Sequence, residues 1–301
     1  MAVFFASGDK MVKNIKIGNE CTDISVKEYL RQVLGYSARN LKSLKYKGGI
    51  MVDGNAVNVN FRLQKGMTLM LEFPDENSDG IVPENIPLDI IFEDDEYLAV
   101  NKPHNMPVHP SYRHQSGTLA NAVMYYFRNE AFVFRPLTRL DIDTSGVVII
   151  AKNAVAASRF VESKPEKRYL AICKGCPEPK EGEINAPIGR DTGIIKRCVR
   201  EDGKLSITKY KVLKTGNGMS VVETIPVTGR THQIRVHLSH IGSPIYADYL
   251  YGKEIKGERT RLHCAQVSFE HPFAKKTIIL YAPVPQDFSE LEQYMSDIVK
   301  S

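Results

Sequence analysis

Arg139-Leu140-Asp141-Ile142-Asp143-Thr144-Ser145-Gly146-Val147-Val148-Ile149-Ile150-Ala151 is the stretch that decides how most of this chain folds. Val147 to Ala151 is an unbroken apolar run, mostly β-branched and too short for a helix, so it reads as a buried strand. Asp, Thr, Ser and Gly just before it are turn formers, which puts a sharp polar turn at the strand's entry. A carboxylate held on a turn beside a fixed strand end is where a nucleophile can be positioned rigidly. Asp143 and Thr144 can equally satisfy the backbone of that turn.

Outward from this strand the chain is rich in short strands. Ile90-Ile-Phe92, the acidic turn Glu93–Glu96 and Tyr97-Leu-Ala-Val-Asn101 precede it. Asn153 is placed to cap a helix ending before Pro165. Arg168 to Cys173 reads as a strand, and Ser206–Leu213 with Met219–Val227 as a hairpin around Thr215-Gly-Asn-Gly218. Thr231 to Ile241 has helical spacing through Ile234, Leu238 and Ile241, with Gly242 as its stop. Thr231 is the expected cap, and Arg230 and Arg235 would flank the free N–H groups of the first turn as an anion site. Val267-Ser-Phe269 and Thr277–Tyr281 form a last hairpin. The pattern is an α+β domain with a mostly antiparallel, mixed sheet.

The first seventy or so residues read as a smaller α+β unit. Ser25-Val-Lys-Glu28 has the spacing of a capping box opening a helix through Leu34, with Val26, Tyr29, Leu30 and Val33 inward and Gly35 as its stop. Ser37 would cap a second helix carrying Leu41 and Leu44 inward and Arg39, Lys42, Lys45 and Lys47 outward. Ile50-Met-Val52 and Ala56-Val57 flank a tight Asp53-Gly-Asn55 turn, and Leu63 to Phe73 supplies a further strand with a turn at Lys65-Gly66. Pro74 to Pro87, with Asp-Glu-Asn-Ser-Asp-Gly and three prolines, reads as a linker.

Charge follows the same division. The 301 residues carry 40 Lys plus Arg and 35 Asp plus Glu, a net charge of +5. Residues 10–65 hold eleven basic and four acidic residues, and 66–96 hold ten acidic residues and no basic one. Residues 97–301 hold 29 basic and 20 acidic residues, so two basic bodies flank an acidic strip suited to a solvated tether. Two basic bodies point to a polyanion partner. With 43% apolar residues the chain is no disordered polyelectrolyte, and no run of eighteen apolar residues suggests a membrane span. Met1 to Lys16 lacks a basic stretch before its apolar patch and a small-residue cleavage site, so no secretory signal is expected. An odd count of five cysteines argues against a disulfide framework and fits a reducing cytoplasm. His232, His237 and His240 lack a metal-ligand spacing and read as solvated or capping histidines.

Three separated motifs then carry a resemblance. Arg139-Leu-Asp-x-x-Thr-Ser-Gly146, Lys167-Arg-Tyr-Leu-Ala171 and Gly229-Arg-Thr-His-Gln-Ile-Arg235 resemble, in order and spacing, the large-subunit-type ribosomal pseudouridine synthases. Asn101-Lys-Pro103 and Gly242-x-x-Pro-Ile-x-x-Asp248 extend the match. The segment before the linker resembles the S4 RNA-binding module, giving an S4-like domain at 14–75, an acidic linker at 76–87 and a catalytic domain at 88–295. The resemblance implies isomerisation of uridine to pseudouridine in structured RNA, ribosomal RNA in preference to transfer RNA. It implies Asp141 as nucleophile, Arg235 as its partner, and Tyr169 stacking on uracil and assisting loss of the C5 proton. Arg139, Arg230, Thr231 and Gln233 would contact the extruded nucleotide. Arg39, Lys42, Lys45 and Lys47 would meet RNA phosphates. No cofactor and no metal are implied, since nothing is oxidised or expelled, and a cytoplasmic monomer without an obligate protein partner is expected. One departure is visible: Thr138 stands where the family's first motif begins with His. Two other readings fit parts of the sequence, a glycosidase using Asp141 with Asp143 and a non-catalytic RNA-binding assembly protein.

Overall fold

The structure, a computed structural model, describes residues 3–7, 10–18, 23–36, 38–47, 49–72, 80–112, 114–191, 196–252 and 258–291. The first body comprises β1 (Val3–Ser7), β2 (Lys10–Lys16), β3 (Ile24–Ser25), α1 (Val26–Glu28), α2 (Ala38–Lys47), β4 (Gly49–Val52), β5 (Asn55–Ala56), β6 (Arg62–Leu63) and β7 (Thr68–Glu72). Five of its strands form a sheet in the order β1-β2-β7-β4-β5, and β3 pairs with β6. The sheet begins at Val3 rather than at residue 14, because β1 pairs with β2 and β2 in turn with β7.

Local signals in this body mostly hold. The capping box is formed: Glu28 N–H donates to Ser25 Oγ at 3.2 Å and Ser25 N–H to the Glu28 carboxylate at 2.9 Å. The helix it opens widens into a π turn over Tyr29–Val33. That turn rotates Val33 off the expected inner face to 44% exposure, while Val26, Tyr29 and Leu30 stay buried. Asp53 and Gly54 both take positive φ, 49° and 82°, as a primed hairpin turn requires. The strand expected from Leu63 to Phe73 is two, β6 and β7, broken at Lys65-Gly66. Ser37 and Phe73 lie outside the described residues, as do the side chains of Arg39 and Lys47.

The second body holds β8 (Ile90–Glu93), β9 (Tyr97–Lys102), α3 (Leu119–Tyr126), β10 (Arg135–Pro136), β11 (Ser145–Ala151), α4 (Ala154–Phe160), β12 (Glu166–Lys174), β13 (Glu181–Asn185), β14 (Ile188–Arg190), β15 (Arg197–Val199), β16 (Ile207–Gly216), β17 (Met219–Pro226), α5 (Gln233–His240), β18 (Leu262–His271) and β19 (Lys276–Tyr281). Its sheet runs β13-β16-β17-β12-β18-β11-β9-β8, with β10 against β11 and β19 against β18. Every residue of β11 is buried, as the apolar run predicts. Helix α3 carries no clear apolar stripe, because Leu119, Ala120, Ala122 and Val123 are buried together in its first turns while Tyr126 at its end is exposed. The edge strand β13 has no apolar run to mark it in the sequence, because Glu181 and Glu183 give it a charged, solvent-facing character.

The stretch expected to be a solvated tether is partly docked. Residues 76–79 lie outside the described ones, but from Gly80 the chain runs along α3. Asn121 Nδ2 donates to Val82 O at 2.7 Å, Glu84 N–H to Asn121 O at 3.0 Å, and Gly117 N–H to the Glu84 carboxylate at 3.1 Å. Ile81 and Leu88 pack on the main core. Composition shows the acidity of this strip but not the donors waiting for it elsewhere in the chain.

The two bodies share a seam. Val155 of α4 is buried in the core of the first body, with Val26, Leu30 and Leu44. Arg159, one turn further along α4, donates to Val33 O at 2.9 Å and Leu34 O at 3.2 Å, capping the carbonyl end of the π turn. Tyr36 and Gly35 line the same seam, where a cavity of about 220 Å³ is also bounded by Arg31 and Glu162.

In the second body β11 and β18 run parallel through Ser145↔His263 and Gly146↔Cys264. Gly146 has φ +114°, and a Cβ there would collide with the Cys264 backbone. Gly146→Ala is therefore expected to destabilise the protein by roughly 3 kcal/mol in urea unfolding, against about 1 kcal/mol for Gly54→Ala, whose Cβ meets open space. Equal losses at the two sites would show that the β11–β18 approach is not limiting.

Candidate active site

Asp141 sits in the turn that feeds β11. Thr144 N–H closes that turn on Asp141 O at 3.1 Å. Lys102, the last residue of β9 and fully buried, clamps it from beneath: Nζ donates to Pro103 O at 2.7 Å, Met106 O at 2.8 Å and Ile142 O at 3.4 Å. Thr138, at the position of the family's His, is also buried and accepts from Ile149 N–H at 3.0 Å. It closes a backbone donor of β11 and holds the turn's entry. The Asp141 side chain itself is 26% exposed, so a ligand can reach it.

Helix α5 delivers the partner. Arg235 is 2% exposed and donates from Nη1 to Asp141 Oδ2 at 3.3 Å. Its other nitrogens are taken by Asp248, with Nε to Oδ2 at 2.7 Å and Nη2 to Oδ1 at 2.8 Å. Asp248 also accepts from Leu250 N–H at 3.0 Å and Tyr251 N–H at 3.2 Å. Burial works against the charge on Arg235, but the bonds and field of Asp248, then of Asp141, more than offset it and hold its pKa raised. The guanidinium is thus a fixed cation with one nitrogen, Nη1, left for Asp141.

Two further side chains converge. Tyr169 of β12 is 8% exposed, next to Cys264 across the β12–β18 ladder. Burial above all, then Cys264, then the charge of Asp141, pushes its phenol well above the usual tyrosine range. His232 places Nε2 4.0 Å from Asp141 Oδ2 and Nδ1 2.8 Å from the Tyr251 hydroxyl. Burial lowers its pKa most strongly, with Asp141 pulling the other way.

Other expectations need correction. The cap of α5 is His232 in the left-handed region, φ 57°, with no side-chain cap bond, and Thr231 lies one residue earlier and exposed. No open anion site forms between the two arginines: Arg235 is locked into its carboxylates, and Arg230, exposed, donates from Nε to Leu205 O at 3.1 Å. Gln233 is buried, and both polar atoms of its side chain are engaged within the protein. Its amide nitrogen donates to Ile207 O and Thr208 Oγ1, both at 2.9 Å, and its oxygen accepts from Thr228 Oγ1 at 2.7 Å and Arg230 N–H at 3.0 Å. His237 is not solvated but fully buried, with Thr208 Oγ1 at 2.8 Å and Ala186 O at 2.9 Å. Arg139 is exposed beside Asp141. In the first body Lys42 and Lys45 are exposed on α2, next to Tyr46, which is 68% exposed.

Known proteins are similar in sequence to this chain. The family described as RNA pseudouridylate synthase matches residues 96–240. The RNA pseudouridine synthase YjbO of Bacillus subtilis (strain 168) is 38% identical over 280 residues, 89% of this chain and 98% of its own. This chain belongs to the RNA pseudouridine synthase family. The ribosomal large subunit pseudouridine synthase D of Xanthomonas campestris pv. campestris is 34% identical over 278 residues, 85% of this chain and 84% of its own. The solved structure of human RNA pseudouridylate synthase domain containing 1 superposes with a TM-score of 0.57 at 27% identity, over 72% of this chain and 89% of that one. Among the described residues no helix of the synthase is long and apolar enough to cross a membrane.

Lys102 offers a pH signature of this site. Burial pushes its pKa down to about 7 against the pull of Asp141 and Asp143. Above that pH the unfolded lysine still binds the proton that the folded one has released, so stability rises with pH toward about 10. Relative to Lys102→Met, the wild-type synthase is expected to gain about 1.4 kcal/mol per pH unit between about pH 7 and about pH 9 in urea unfolding. A pH-independent difference would mean that Lys102 keeps its charge when buried.

Proposed function

We propose that the synthase isomerises specific uridines of ribosomal RNA, with Asp141 as nucleophile. The observation that carries this reading is the fixed Arg235 guanidinium, anchored by Asp248 and aimed at Oδ2 of a reachable Asp141. A carboxylate oriented by a buried cation can attack the flipped nucleotide while its glycosidic bond to N1 breaks. The detached uracil turns and rejoins the sugar through C5, the bond to Asp141 breaks and restores its carboxylate, and the C5 proton leaves as N1 gains one. Atoms are conserved overall.

Tyr169 supplies a flat, largely buried face beside Asp141 for the turning base. Its hydroxyl is held protonated, so it can take the C5 proton only as it gives up its own, and Asp141 is the carboxylate whose charge it feels. Arg139 and Arg230, both exposed near the site, fit contact with flanking phosphates. The choice of ribosomal RNA rests on relatives whose names specify the large ribosomal subunit. For the first body we propose an S4-like RNA-binding role, supported by its own core and by Lys42, Lys45 and Tyr46 exposed together on α2.

Asp141→Ala and Asp141→Asn are each expected to lower conversion of uridine to pseudouridine in ribosomal RNA by roughly 10⁴-fold, with RNA affinity unchanged. Mass-spectrometric nucleoside analysis reads the product, and retained activity in both variants would remove Asp141 as nucleophile. Replacing Lys42 and Lys45 together by Gln is expected to weaken RNA binding and flatten the plot of log affinity against log salt by about 1.5. An unchanged slope would place the RNA elsewhere.

A further inference from the structure

One buried side chain points at the nucleophile without yet having a task. His232 lies between Asp141 and Tyr251, in a backbone conformation that most residues avoid. Its surroundings decide where its proton sits. Arg197 N–H, from β15, donates to the Tyr251 hydroxyl oxygen at 3.0 Å. The hydroxyl hydrogen is then free to donate, and the atom before it is His232 Nδ1, at 2.8 Å. Burial raises the Tyr251 pKa to about 12, so the hydroxyl keeps that hydrogen. A neutral ring accepting at Nδ1 must carry its proton on Nε2. That nitrogen faces Asp141 Oδ2.

We infer that His232 is a positioning residue for Asp141: Tyr251 fixes its neutral ring with the proton on Nε2, and that N–H closes onto Oδ2 when RNA fills the site. At 4.0 Å the contact is too long for a hydrogen bond in the free protein. Catalytic hydrogen bonds commonly tighten only in the substrate complex. Arg235 addresses the same oxygen, at 3.3 Å. With both donors on Oδ2 the carboxylate is held against rotation, and Oδ1 is left to attack. The groups facing His232 are Asp141, Arg235 of α5, Asp248, Tyr251 and Arg197. This role rests on Asp141 being the nucleophile.

The test exploits a conflict between backbone and side chain. If His232 mattered only for its left-handed backbone, Asn would be the best substitute, since it tolerates positive φ better than Gln. If Nε2–H matters, Gln is the better substitute, because its amide nitrogen reaches the Nε2 position while that of Asn reaches only Nδ1. His232→Ala is expected to lower kcat on ribosomal RNA about tenfold with KM unchanged. His232→Gln is expected to recover to within about threefold of wild type, and His232→Asn to stay at the level of Ala. Asn equalling or exceeding Gln, or a change in KM alone, would overturn the inference. Independently of turnover, a long-range ¹H–¹⁵N spectrum of the free protein should show His232 protonated at Nε2, and mixed tautomers in Tyr251→Phe. A wild-type ring protonated at Nδ1 would also overturn it. Wild-type protein inactive on ribosomal RNA would instead defeat the proposed function, whichever tautomer the spectrum shows.

Discussion

The Arg235–Asp248 pair is the contact on which the site depends. Both side chains are almost wholly removed from water, 3% and 0% exposed, and taking two charges out of solvent costs several kcal/mol each before they attract one another. A hydrophobic pair of equal volume could fill the space as stably. What such a pair could not do is present a charged N–H at a fixed angle. Two of the guanidinium's three nitrogens are committed to Asp248, and Asp248 is itself tied to the backbone at residues 250 and 251. The third can meet Asp141 without choosing among rotamers, so little side-chain entropy is lost when it does.

The sheet makes that meeting possible. Asp141 and Arg235 are 94 residues apart in the chain. They are brought together because β11 enters the sheet directly after the Asp141 turn while α5 follows β17 and packs back over β16. Gly146 lets β11 approach β18 closely at the very point where Tyr169 of β12 lies across from Cys264. The cation and the aromatic face are thus carried on a helix and a strand, and the nucleophile on a hydrogen-bonded turn tied to the start of another strand.

Much of this was legible in the sequence where the cause is local. The capping box at Ser25, the Asp53-Gly54 turn, the buried run of β11 and the hairpin at Asn217-Gly218 each follow from neighbours within a few residues. What the sequence could not display is whom a polar residue meets across the fold. Gln233 looks like a substrate contact from its motif and proves to be the knot joining residues 207, 208, 228 and 230. His232 and His237 look alike on paper, yet one faces Asp141 and the other is buried between Thr208 and Ala186. The roles of Asp248 and Lys102 are not legible from the sequence around them, because they exist only through partners brought up by the fold. Acidity between residues 80 and 96 suggested solvent for the same reason: its acceptors are met by Gly117, Lys152 and His271.

Arg159 gives the seam between the two bodies a further meaning. Val155 is buried in the first body's core and the Arg159 guanidinium caps two of its carbonyls, so the bodies meet through packed contacts and not only through the chain between them. The spacing from α2 to Asp141 then becomes a built-in length, set by the protein and not by the slack of a tether.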